Sequence, residues 1–358
     1  MNTSSQPLVS IVTPVYNGAE YLAECIESVL AQTYQNWDYT IVDNFSTDGS
    51  AEIARRYAER DSRVRVHENR QFLPAISNHN AALRLISPTS KYCKMVFADD
   101  WIFPDCLKEM VAVAEEHPSV GIVGAFTLEG SGVACTGLPY TRTFVSGREI
   151  CREHFLNKLY VFGSANSVLY RSDLIRGRDP FYNEANIHAD TEVCFALLRT
   201  CDFGFVHRLL TFTRVRPESL ATMSADMQTC FAGMLQALVA HGRHYLNGDE
   251  FEDLLDGHLS EYYKYLGKNL MLGRDKNFWD YHKGKMSETG IGFSRVQLAK
   301  GLLATLSDAV LNPKNSIEKL LRRRAKREPD NRGRESGLES IMTPRSEHTI
   351  HVRGSSAK

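Results

Sequence analysis

Two hydrophobic periods alternate along the first stretch of about 125 residues, and this alternation limits the possible folds more than any other feature of the chain. Residues 8–15 form a short apolar run. After the turn at Asn17-Gly18, the pairs Tyr21/Leu22, Cys25/Ile26 and Val29/Leu30 recur at helical spacing. Residues 39–42 predict a second strand. The turn at 46–50 is rich in helix-capping types, and Ile53/Ala54 with Tyr57/Ala58 mark the helix that follows. Residues 64–67, 78–86 and 94–98 continue the series as strand, helix and strand. Pro104 then opens a helix carrying Leu107, Met110, Val111 and Ala114, as proline does at a first helical turn. Strand–helix units of this length imply a parallel sheet covered by helices.

The pattern loosens from Val120 to about Leu220. Strands are expected at 121–127, 167–170 and 204–213, and helices at 147–159 and 190–200, as a continuation of the same domain. Residues 224–311 read as mostly helical. Beyond Pro313 a helix candidate ends in the basic run 322–327, and the rest has the composition of a disordered segment. The expected organisation is therefore a domain at 6–222, a helical extension at 223–312 and a basic tail at 313–358.

Composition excludes several function classes. Lys and Arg number 42 against 43 Asp and Glu, so no global field draws the chain to nucleic acid or an anionic membrane. The tail is the exception, with a local net charge of +6. Its basic run after an amphipathic helix reads equally as a binder of anionic lipid at the inner membrane face or as a solvated tail. No aromatic residues interleave with it, which disfavours nucleic acid. The eight cysteines are scattered without a CxxC pair and read as reduced core thiols of a cytoplasmic protein. The N-terminus lacks the basic and apolar regions of a signal peptide, and no apolar stretch reaches the ~20 residues of a spanning helix.

In a wound α/β sheet, ligands bind outside the carboxyl ends of the strands. The polar residues there are 13–17 after the first strand, Asp43-Asn44 after the second and Asp99-Asp100 after the fourth. No GxGxxG follows the first strand and no GxxxxGK[ST] occurs, which weighs against dinucleotide dehydrogenases and P-loop NTPases.

The stretch VSIVTPVYNGAEYLAECIESVLAQTYQNWDYTIVDNFSTDGS, residues 9–50, resembles the opening of family 2 glycosyltransferases. The resemblance continues through MVFADDWIFPD at 95–105, weakens but keeps its order to about Leu220, and fades over the C-terminal third. It implies a GT-A-like, Rossmann-type mixed α/β sheet flanked by helices, with the C-terminal helices as an extension. It also implies an inverting transfer of a sugar from a nucleotide diphosphate donor, UDP by default, to a glycan or lipid-linked acceptor in surface polysaccharide synthesis.

The resemblance assigns roles residue by residue. Asp43 is expected to accept a hydrogen bond from the nucleobase, in a segment reading VDNFSTD where relatives commonly have VDDGSTD. Thr13, Pro14 and Tyr16 fall where the first loop packs on base and ribose, although Tyr16 reads equally as a core aromatic. Phe97-Ala98-Asp99-Asp100 stands where relatives commonly have DxDD, so the leading acid has become Phe97. Asp99 is the expected ligand of Mn²⁺ or Mg²⁺, with Asp100 in support, although two acids before a helix also suit its positive end. Asp190 is the expected general base, in an ADTE segment where relatives often have EDxE, and His188 is its rival. Asn78 lies near an ARNxG-like element whose Arg is absent. Ser164 and Asn166 fall in the acceptor region, where a tight turn explains the small residues as well. Arg214 and Arg216 resemble a segment that approaches the diphosphate, and a surface ion pair is the alternative. Trp101 either stacks on a sugar or plugs the core. Two other classes remain as readings. One is a catalytically silent sugar-nucleotide-binding or scaffold module, encouraged by Phe97 and Ala189. The other is a nucleotidyltransferase, which would need a basic phosphate loop after the first strand.

Overall fold

A computed structural model describes residues 6–216, 224 and 227–311, with side chains described to residue 307. The basic tail expected at 313–358 lies outside the described residues. The chain divides at Leu303/Ala304 into two units.

The sheet has ten strands in the first unit. β1 (Val9–Val15), β2 (Trp37–Asp43), β3 (Val64–Glu68) and β4 (Tyr92–Met95) are followed by β5 (Trp101–Ile102), β6 (Val120–Glu129), β7 (Gly132–Ala134), β8 (Phe144–Val145), β9 (Val168–Arg171) and β10 (Asp202–Thr213). The order is β3-β2-β1-β4-β9-β6-β10-β5, with β7 on β6 and β8 on β10. Pairings among β1 to β4 are parallel, as is β6 with β10. β9 enters antiparallel between β4 and β6. The parallel sheet expected from the strand–helix units thus holds for the first half. The second half is mixed because its strands are joined by irregular segments rather than by one helix each.

Both faces of the sheet are buried, so β1 reads as a continuous apolar run instead of an alternating one. Val9, Ile11 and Val15 pack with α1 (Leu22–Leu30), α2 (Ser50–Ala58) and α4 (Cys106–Glu116). Val12 on the other face joins α3 (Ala75–Leu83), α5 (Gly147–Asn157) and α7 (Ala189–Leu197), while α6 (Ser172–Arg176) follows β9. The same core takes in Ala237, Leu238, Tyr245 and Phe251 from α8 (Cys230–Ala237), its continuation and α9 (Gly248–Met271). Arg152 of α5 clamps Glu250 at 2.6 Å in the capping box that starts α9. α10 (Lys276–Glu288) packs on α8 and α9 around Tyr262, Leu266, Phe278 and Met286, and α11 (Arg295–Leu311) follows.

The fourth strand ends three residues earlier than its apolar run suggests. Val96 N–H still donates to Val12, but Asp100 N–H turns back to the Phe97 carbonyl, so 97–100 is a tight turn presenting both acids. Among the described residues seven cysteines are buried and Cys230 is exposed; all eight are free thiols. No described helix is long and apolar enough to cross a membrane.

Candidate active site

Asp43 is the last residue of β2 and pairs in register with Val15 at the end of β1. It is buried, and Oδ2 accepts from Ser46 N–H at 3.0 Å. Its Oδ1 is buried with no partner, and an unpaired buried carboxylate oxygen carries a desolvation cost that a ligand N–H would relieve. The loops on either side are latched together. Asn17 Oδ1 accepts from Thr47 N–H at 2.9 Å, Gly18 N–H donates to Ser50 Oγ and Ala19 N–H donates to Asp48 Oδ2.

Asn44 explains one departure from the common motif. Its Nδ2 donates to the Leu73 carbonyl at 2.8 Å, while Oδ1 accepts from Leu73 N–H at 2.9 Å and from Asn69 Nδ2 at 3.0 Å. An ionised aspartate lacks the donor half of this clamp. Asn69 also donates to Asn78 Oδ1, so Asn78 is buried and positions the 69–73 loop. That loop sets Phe72 edge-on to Tyr16 at 4.8 Å, and both rings are half exposed. Phe45, 57% exposed, has φ of 64°, the left-handed conformation for which glycine is suited. Three exposed aromatic rings therefore come from the loops that surround Asp43. Thr13 is not among them: it is fully buried and its hydroxyl is spent on Tyr39 at 2.8 Å, while Pro14 is buried in β1.

The 97–100 turn meets these loops where Ala98 packs against Gly18. Asp99 keeps partial exposure and pairs with Arg216 at 2.5 Å. Asp100 is buried; desolvation first, then the neighbouring Asp99, pushes its carboxyl well above the usual range, and its Oδ1 accepts from Arg214 N–H. Arg214 donates to the Asp99 carbonyl, pairs with Glu24 and lies 4.4 Å over the Tyr21 ring. Trp101 stacks on Phe212 at 4.7 Å, which is the packing alternative for this residue. Among the described residues no three His, Cys, Asp or Glu side chains form a metal cage. Of the two acids in the turn, Asp99 is the one whose carboxylate keeps exposure. That donor set suits Mg²⁺ or Mn²⁺ if diphosphate oxygens and water supply the remaining ligands.

Phe97 lies tilted against His79 with ring centroids 5.0 Å apart, and His79 in turn meets Tyr182 edge-on. Burial lowers the His79 imidazole to about 4, so it is neutral near pH 7. Burial first, and after it the nearby Asp190 carboxylate, raises the Tyr160 and Tyr182 hydroxyls above their usual range. Asp190 sits in the first turn of α7, where Oδ1 accepts from Thr191 N–H at 2.7 Å, yet burial raises its carboxyl to about 6. Glu192 is spent on Asn183 and Asn186. His188 donates to or accepts from Thr229 at 2.9 Å and lies so close to Gly233 that a Cβ there would sit 2.4 Å from the ring. Its ring is a packing element between α7 and α8.

Ser164 and Asn166 precede β9, and because β9 is antiparallel its start lies at the carboxyl ends of β4 and β6. Gly163 is explained by a tight turn: φ is 64° and Ser167 fills the space a side chain would need. The Ser164 hydroxyl, Asn166 Oδ1 and Thr213 hydroxyl are buried without partners. Asn166 Nδ2 donates to Phe212, and the fully buried Lys94 donates to the Asn166 and Val168 carbonyls. Lys94, Asn44, Asn69, Phe72 and Tyr160 carry no catalytic motif, and only Asn44 stands at a motif position that could have drawn attention.

Residues 10–177 match the model of Glycosyl transferase family 2. Over these residues, just under half of the chain, the match is to a family 2 glycosyltransferase domain. This domain is 35% identical over 191 residues to the uncharacterized glycosyltransferase EpsJ of Bacillus subtilis, covering 53% of each protein. It is 32% identical over 119 residues to glycosyltransferase GlyG of Streptococcus pneumoniae, covering 33% of this chain and 39% of that protein. The chain thus spans about half the length, or less, of these curated relatives. In fold it is similar to S. aureus TarS 1-349 in complex with UDP-GlcNAc, with a TM-score of 0.59 and 16% identity over 84% of this chain and 88% of that one. The architecture is that of GT-A glycosyltransferases.

Proposed function

We propose that this protein is an inverting glycosyltransferase that moves a hexosyl group from a UDP-sugar to a hydroxyl of a glycan or lipid-linked acceptor. The observation that carries the reading is Asp43, a buried carboxylate with one unpartnered oxygen at the carboxyl edge of β2, beside the turn that presents Asp99. A uracil ring offers the N–H that this oxygen lacks, and Tyr16 offers a face for stacking.

Asp99 would hold the cation and Arg214 and Arg216 would approach the diphosphate. A bound divalent cation supplies Lewis-acid stabilisation of the departing diphosphate. Asp190 takes the acceptor proton as the acceptor oxygen forms its bond to the anomeric carbon. The bond from that carbon to the diphosphate oxygen breaks, and the electron pair leaves with UDP. A carboxyl raised to about 6 is mostly ionised at neutral pH yet basic enough to share a proton in the transition state. Ser164, Asn166 and Thr213 supply hydroxyl and amide oxygens for the sugars. Relatives include a protein named for teichuronic acid biosynthesis, which supports a surface polysaccharide as acceptor. The domain would span residues 6–222, with 223–312 as a helical extension and 313–358 as a basic tail able to rest on an anionic inner membrane face, placing the enzyme in the cytoplasm.

A donor panel tests the reading, with binding and hydrolysis of UDP-, GDP- and dTDP-sugars measured with and without Mn²⁺. UDP-sugar binding that weakens in Asp43→Ala and hydrolysis that falls in Asp99→Ala are expected. Because Asp99 is tied to Arg216, a silent sugar-nucleotide-binding module is the second reading. Binding with neither hydrolysis nor transfer would favour it.

A further inference from the structure

A cavity lies on the edge of the sheet opposite the one that carries Asp43 and Asp99. It has a volume of about 440 Å³, within the ~300–1,000 Å³ of small-molecule sites. Ser119 just before β6, Asp202 at the start of β10 and Arg171 at the end of the antiparallel β9 line it, and that arrangement fixes which edge it occupies. Arg148, Arg199 and His244 line it as well.

The three guanidinium groups differ in how they are held. Arg171 donates from Nε to Asp173 at 2.8 Å and from Nη1 to the Pro118 and Val120 carbonyls at 3.3 and 3.5 Å, so it is fixed in place. Arg199 donates only from Nη2, to the Ala240 carbonyl and to His241 Nδ1. The Nη2 of Arg171 and the Nε and Nη1 of Arg199 make no hydrogen bond among the described residues. Arg148, in the first turn of α5, is exposed and makes no hydrogen bond or ion pair among them. The one carboxylate lining the wall is Asp202, whose Oδ1 accepts from Gly147 N–H at 2.9 Å; Asp173 beside it is taken by Arg171, and Glu250, which feels the charge of Arg148, is clamped by Arg152. Gly147 is required there, because a Cβ would meet the Leu198 and Cys201 carbonyls at 2.2 Å. α5 therefore starts against the cavity wall and delivers Arg148 to its rim.

We propose that this cavity is a binding site for a phosphorylated small molecule of about the size of a sugar phosphate. Guanidinium forks pair with phosphate oxygens in two-point contacts, and convergence of three on one concavity favours a multiply charged anion over a single carboxylate. The volume leaves room for an uncharged body beside the phosphate. The site uses none of the residues assigned to sugar transfer.

Calorimetric titration of the full chain with glucose 6-phosphate at fixed ionic strength tests this, with glucose as the uncharged control. One saturable site is expected for glucose 6-phosphate and none for glucose. Affinity should fall about ten-fold in Arg148→Ala, recover in part in Arg148→Lys, and stay unchanged in the donor-edge variant Arg214→Ala. Because Arg148 is exposed and makes no hydrogen bond or ion pair among the described residues, with only a longer-range attraction to Glu250, its loss should change the melting temperature little. Arg199→Ala gives a second, independent decrease. The proposal is overturned if no saturable binding occurs or if Arg148→Ala binds as tightly as the unaltered protein. It is also overturned if Arg214→Ala alone abolishes binding, which would put the anion at the donor edge.

Discussion

The two sides of the proposed catalytic cleft spend their polar groups differently. On the side of Asp43 most of them bond to the protein: Asn44 clamps Leu73, Asn17 and Ser50 latch two loops, and Asp100 is tied to Arg214. Around the start of β9 and the end of β10, the Ser164 hydroxyl, Asn166 Oδ1 and Thr213 hydroxyl are buried with nothing to bond. The first arrangement holds a shape for a nucleotide. The second leaves hydrogen-bonding capacity that a polyhydroxylated ligand can use, so function should be most sensitive where groups are unspent and stability where they are spent.

The largest effect is expected at Asp190. Asp190→Asn should lower transfer by about 10²–10⁴-fold with donor affinity unchanged, read by single-turnover rates beside a binding titration. In the unaltered protein the rate should rise with pH around 6, because the raised carboxyl is protonated and inactive as a base below that value. A flat profile would remove Asp190 from its role. The same shift means that the contribution of Asp190 to folding stability, present below the ordinary aspartate range, is lost as pH climbs through 6. Next, Asp43→Ala should weaken UDP binding by about 10–100-fold, since one charge-assisted bond disappears. An unchanged dissociation constant would show that Asp43 only shapes its turn.

The spent groups should report mainly in stability. Asn44→Asp deletes the donor to Leu73 and should cost about 1–3 kcal/mol in denaturant unfolding. Phe45→Gly relieves a left-handed backbone and is expected to stabilise the fold by about 1 kcal/mol. If that substitution also weakens donor binding, the ring is a ligand contact and its strain serves the site. The smallest change is expected for Arg216→Ala, a partly exposed ion pair worth under about 1 kcal/mol, which should tighten Mn²⁺ binding to Asp99 in the absence of nucleotide.

The amino-acid order by itself determined the first half of the sheet and the positions of its acids. Each strand there is a short apolar run followed by a helix of matching period, and a parallel sheet puts the strand ends, and hence Asp43 and Asp99, on one edge whatever the packing details. Tertiary structure alone decided that β9 runs antiparallel, that Thr13 and His188 are consumed by packing, and that Arg216 sits on Asp99. It also decided that three arginines far apart in the chain share a cavity on the opposite edge. Those outcomes depend on contacts between residues separated by tens to more than a hundred positions, and local hydrophobic periodicity carries no information about which distant groups meet.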